Sequence, residues 1–166
     1  MMPQGATSPS MRSTRIPQRW RSTTISAGWA IWLRAACALW DAEASAACAA
    51  LAPTLKGLSR ERVGWELQNL LALPDPAPTA ARMRELGVLP EVLPECGTRE
   101  IDQLVRLIAA EDSAGIPADP MRRLAALLPP IVPVAEAVAA RLRLSRKQRD
   151  RLVCVARRSA QDGAHP

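Results

Sequence analysis

Residues 58–71 read Leu-Ser-Arg-Glu-Arg-Val-Gly-Trp-Glu-Leu-Gln-Asn-Leu-Leu, and their spacing decides the fold class. Val63, Leu67, Leu70 and Leu71 recur at helical intervals and make one apolar stripe. Glu61 and Trp65 fall on another side of the same helix. Ser59 follows Gly57 and stands at the N-cap position, so a helix is expected from Arg60 to about Ala72. Upstream, Asp41 is placed to cap a helix over Ala42–Leu51 that stops before Pro53. Downstream, Pro74, Pro76 and Pro78 read as a stiff linker. Thr79 then opens a short helix over Ala80–Leu86, with Gly87 at its C′ position. Val88–Glu95 contains Pro90 and Pro94 and reads as a turn-rich connector rather than a long helix.

The helical period persists to the end of the chain. Thr98 is expected to cap Arg99–Ala110, where Ile101, Leu104, Val105 and Ile108 fall in the i, i+3, i+4, i+7 pattern. Asp119-Pro120 is an N-cap followed by Pro at the first helical position, opening a helix through Leu128. Pro129, Pro130 and Pro133 end it, and Val134–Leu142 follows. Ser145 and Gln148 fit a capping box for a last helix, Arg146–Arg158. On that helix Gln148, Leu152, Val155 and Ala156 share one face, opposite Arg146, Lys147, Arg151, Arg157 and Arg158. No stretch reads as a strand, and no repeat of the solenoid kind is present. The expected fold is all-α, an irregular bundle of about six or seven short helices.

Composition agrees. Ala, Leu and Arg dominate the 166 residues, which favours helix, while the absence of Phe and Tyr disfavours an all-β domain. The one His, His165, is next to last, so a Ser-His-Asp triad, a Cys-His pair or a His-ligated metal has no well-placed imidazole. Cys37, Cys48, Cys96 and Cys154 show no C-x-x-C spacing and read as reduced, mostly buried small residues. No catalytic residue and no metal ligand is expected on this chain.

The net charge of +6 is unevenly spread. Residues 1–40 hold five Arg and no acid; residues 41–120 sum to −6; residues 121–158 sum to +8. A clustered positive segment suits a polyanion, because each neutralised phosphate releases counterions. The alternative is an ordinary solvated face in an Arg-biased sequence, with 20 Arg against 2 Lys. The first 40 residues are expected to be disordered, since Met1–Ser26 is Ser/Thr/Arg/Pro/Gln-rich without periodicity. Ile25–Trp40 is apolar, but its longest uninterrupted run, Ala27–Leu33, has seven residues against the roughly 20 a membrane span needs. An export signal is also disfavoured. Small residues do follow at Ala46-Ala47-Cys48, but the start is too long and Arg34 breaks the apolar region. The expected location is cytoplasmic.

Leu58–Leu71 resembles the "S-x-E-R-I-x-x-E-L-x-x-L-L" segment of the class II tRNA nucleotidyltransferase and bacterial poly(A) polymerase family. Three further pieces match in order. Arg82-Met83 through Glu95 is similar to "M-x-x-x-G-(V/L)-L-x-x-(V/L)-L-P-E". Arg122–Leu128 looks like the "RLAALL" helix, and Arg141–Lys147 like the "L-(R/K)-L-S-(R/K)" turn. Members of this family add CCA or A residues to RNA 3′ ends without a template. Their α/β head carries a Gly-rich loop and Mg²⁺-binding carboxylates, and a helical neck and body hold the RNA.

The resemblance therefore divides the chain into a leader (1–40), partial neck helices (41–73), an RNA-binding body (74–158) and a disordered tail (159–166). G-G-x-V-R-D, a paired D-x-D, R-R-D-F-T and the neck's E-D-x-x-R are all missing upstream of residue 41. The loss of matching there is what a frameshift or misplaced start would produce, and the chain alone is expected to be inactive. No cofactor is expected here, Mg²⁺ belonging to the head, which could be separately encoded. Glu61 and Arg62 match the segment that braces the neck helix; their plain alternative is a surface pair near a helix N-terminus. Trp65 could stack on a base, but packing against a neighbouring helix is the expectation. Arg122, Arg123, Arg141, Arg143, Arg146, Lys147 and Arg151 are the candidate RNA-backbone contacts, with tRNA or another structured RNA as partner. Ordinary solvated charge is the alternative for each of them. A helical protein-interaction module without an RNA role is the competing function.

Overall fold

A computed structural model describes residues 42–162. The expectations for the leader, for Asp41 as a cap, for Cys37 and for residues 163–166 lie outside the described residues. Val63, Leu67, Leu70 and Leu71 are all buried, as their spacing requires. They lie on helix α2 (Arg60–Leu71), preceded by α1 (Ala42–Leu51) and a 3₁₀ segment (Ala52–Gly57). There follow α3 (Ala77–Glu85), α4 (Val88–Val92), α5 (Thr98–Ala114), α6 (Pro120–Ala126), α7 (Val132–Arg141) and α8 (Arg146–Asp162). The described residues form eight α-helices and no strand, so the fold is all-α.

Several boundaries differ from the sequence reading, each for a local reason. Ser59 occupies the N-cap of α2 but makes no side-chain cap bond. Pro78 and Pro133 were expected in linkers, yet each sits in the first turn of its helix, α3 or α7, where a missing N–H costs nothing. Pro90 likewise falls in the first turn of the five-residue α4, which replaces the expected connector. The α5 cap is Gly97 rather than Thr98: its N–H donates to Glu100 Oε2 at 2.8 Å. That helix also runs four residues past Ala110, to the left-handed Gly115 at φ 63°. The helix begun at Pro120 stops at Ala126, short of Leu128. The last helix continues to Asp162, so residues 159–162 of the expected tail are helical. Three sequence features are seen as read. Gly87 is left-handed at φ 76°. Asp119 caps α6 by accepting from Arg122 N–H at 2.8 Å. Ser145 and Gln148 exchange the two bonds of a capping box, at 3.0 and 3.4 Å.

One hydrophobic core runs from Ala52 to Ala156. Helices α7 and α8 pack against each other, α6 lies against α2, α5 and α8, and α3 bridges α4 and α5. The turn between α7 and α8 reaches α2 closely enough that Gly64 is required there. A Cβ on Gly64 would stand 2.5 Å from the Leu142 carbonyl oxygen. That turn is a Schellman motif, in which Arg143 N–H donates to Ala140 O at 3.2 Å and Leu144 N–H to Ala139 O at 2.9 Å. Its left-handed position is held by Arg143, at φ 52°.

Candidate nucleic-acid interface

The seven cationic candidates separate into anchored and free groups. Arg123 is a correction to the surface reading: it is 2% exposed and its guanidinium is fully occupied. It donates to Glu111 Oε2 at 2.8 Å, to the Leu71 carbonyl at 3.0 Å, and to the carbonyls of Leu73 and Pro74. Arg122 pairs with the other oxygen of Glu111 at 2.6 Å and donates to the Pro117 carbonyl at 2.8 Å. Glu111 itself is buried, so its charge is balanced by two arginines from α6. Arg141 is half-buried and pairs with Glu95 at 2.6 Å. Arg151 pairs with Asp119 at 2.8 Å, tying α8 to the cap of α6. Burial raises the Asp119 pKa, but the Arg122 N–H and the Arg151 guanidinium outweigh it and hold the carboxyl below its usual range.

The remaining candidates are available to a partner. Arg143 and Lys147 are exposed and make no ion pair among the described residues. Arg146 is 96% exposed, with Asp150 at 4.0 Å one turn away, a pairing of little energetic weight. Arg157 and Arg158 extend the same exposed face, while Leu152, Val153 and Ala156 are buried on the other. Between Lys147 and Arg158 the α8 axis advances about 16 Å. Among the described residues no group of three or more His, Cys, Asp or Glu could hold a metal ion.

A second feature lies where α2 meets the α7–α8 turn. An open groove of about 670 Å³ is lined by Glu61, Arg62, Trp65 and Gln68 of α2 and by residues 142–145 and Gln148. Trp65 is 52% exposed, a correction to the packing expected for it. Gln148 Nε2 donates to Gln68 Oε1 at 2.6 Å and fixes the groove floor. Glu61 and Arg62 are exposed, and neither makes an ion pair among the described residues. Glu66, also on α2, is 3% exposed, and neither of its carboxylate oxygens has a hydrogen-bond partner among the described residues. Burial raises its pKa, against a smaller opposing pull from Arg62.

The cysteines divide. Cys96 is buried, and burial is the main cause pushing its thiol up to about 11. Cys48 is half-buried, and Cys154 is exposed rather than buried. What the sequence reading missed was therefore accessibility. One signal for Arg143 was present: only two residues separate Leu142 at the end of α7 from the cap at Ser145, and so short a turn demands a left-handed residue.

These helices and this charge define an all-α module with one cationic helix face. Residues 41–97 match the family model described as the probable RNA- and SrmB-binding site of polymerase A. The match covers α1 to α4 and ends at the cap of α5. No curated protein and no solved structure matches the chain. No helix of the described residues is long and apolar enough to cross a membrane.

Proposed function

We propose that the chain is an RNA-binding module that grips the phosphate backbone of a structured RNA through the exposed face of α8. The observation that carries this reading is the row Arg146, Lys147, Arg157 and Arg158, exposed and facing away from the core. Backbone recognition needs such a surface and no base-reading motif. The polymerase A match over residues 41–97 supports RNA as the partner class. The finer reading is a part in tRNA 3′-end processing in the cytoplasm, in the manner of a CCA-adding enzyme's neck and body. The nucleotidyl transfer itself is then supplied by a catalytic head outside the described residues. That head and its Mg²⁺ come from the resemblance alone.

The test is a titration of a tRNA against salt. The logarithm of affinity should fall linearly with the logarithm of salt concentration, with a slope of about 0.7 to 0.9 per neutralised phosphate. Changing Lys147, Arg157 and Arg158 together to Gln should weaken binding and flatten that slope by about two to three phosphate equivalents. Circular dichroism should show the helices intact, since none of the three has an ion-pair partner among the described residues. An unchanged slope removes this face from the account.

A further inference from the structure

We infer that the groove between α2 and the α7–α8 turn holds one unpaired nucleotide of the bound RNA, its base stacked on Trp65 and its phosphate met by Arg62 and Arg143. The inference rests on the RNA-binding reading and adds to it a site for single-stranded RNA.

Three observations converge on that occupant. The indole of Trp65 is half exposed, although a side chain of its size usually finds cover. Its exposed apolar surroundings are small: Leu142 is buried and Leu144 half-buried. A protein-docking patch would spread apolar surface wider than one ring. Two guanidinium groups that make no ion pair among the described residues line the groove, Arg62 from α2 and Arg143 from the α7–α8 turn. Among the described residues Glu61 is the one acid lining the groove against two arginines, a net positive lining.

Arg143 carries the third observation. A left-handed backbone at a residue with a Cβ costs roughly 1 kcal/mol, and glycine is the residue that usually fills this turn position. The arginine at this costly position lines the groove, and such a backbone outlier is a pointer to use of its side chain. Aromatic face, flanking cations and a floor fixed by the Gln68–Gln148 bond are the parts of a site that stacks a base without reading its identity. The groove also joins the stretch matching polymerase A, which supplies Arg62 and Trp65, to the cationic α8 that follows the turn.

The experiment compares two RNAs, a blunt hairpin and the same hairpin with a four-nucleotide single-stranded 3′ extension. The full chain should bind the extended hairpin more tightly. Trp65→Ala should erase that preference, weakening the extended RNA roughly 5- to 150-fold and leaving the blunt one unchanged. Trp65→Tyr, which keeps an aromatic face, should restore most of it. The exposed position of Trp65 leaves the core intact, and equal blunt-hairpin affinity confirms folding in the same assay. If Trp65→Ala keeps the full preference, or lowers both affinities alike, the nucleotide site is wrong while backbone binding stands; a groove built for a peptide gives the first of these results. A wild-type chain that binds the blunt hairpin and gains nothing from the extension also overturns the site. A chain that binds neither RNA overturns the RNA-binding reading and the site with it.

Discussion

Glu66 and Arg62 lie one turn apart on α2, yet the carboxylate is buried and the guanidinium is exposed. Burial without a hydrogen-bond partner favours the protonated carboxyl, so its pKa in the folded chain is raised above the unfolded value near 4.5. The folded state then holds this proton more tightly than the unfolded state does. Stability accordingly declines as pH rises from about 4.5 through the raised pKa. Glu66→Gln removes the ionisation and should make the chain more stable at neutral pH, while flattening that decline. Urea unfolding of both proteins between pH 4 and pH 8 checks it; parallel curves would mean Glu66 titrates normally. Asp119 works in the opposite direction, its lowered pKa making stability fall as the solution becomes strongly acidic. The two carboxylates were not equally legible. Asp119 announced its role by preceding Pro120, because capping is a local matter. Glu66 looked like any charge beside an apolar stripe, because what covers it comes from elsewhere in the fold.

Helix α2 crosses the α7–α8 turn at Gly64, and that crossing sets the width of the groove beneath Trp65. In an exposed helix interior, Gly→Ala gains roughly 1 kcal/mol from propensity. Here the added methyl meets the Leu142 carbonyl oxygen at 2.5 Å and Leu142 Cβ at 3.1 Å. Backbone cannot swing aside as a long side chain would, so the clash decides the sign. Gly64→Ala should destabilise by about 1–3 kcal/mol, read as a lower urea midpoint at constant slope. A stabilised variant would show that the helix and turn stand further apart. Periodicity exposed most of this architecture, since apolar spacing alone placed α2, α5 and α8. It failed at the prolines of α3, α4 and α7, because Pro is tolerated in a first turn and sequence does not say on which side of it a helix lies. The crossing at Gly64 was equally hidden, since a contact between residues 64 and 142 has no signature in either segment.

Across the whole molecule, one buried ionic hub joins the stretch that matches polymerase A to the helices that follow it. Arg123 of α6 binds Glu111 of α5 and three carbonyls, those of Leu71, Leu73 and Pro74, at the exit of α2. The core crosses the same line, so packing and charge bind residues 42–73 to the rest. Removing one member of a buried, hydrogen-bonded ion pair costs about 3–5 kcal/mol, because the partner is left desolvated. Arg122 keeps one oxygen of Glu111 satisfied, but the three carbonyls lose their donor, so Arg123→Ala should reach that range. The loss should appear everywhere at once. Native-state hydrogen exchange should show amides of Leu67 to Leu71 in α2 and of Leu152 to Ala156 in α8 losing protection by the same free energy. Weakening confined to α2 would mean that the two segments open independently. In that case the nucleotide groove between them would not be held by a common fold.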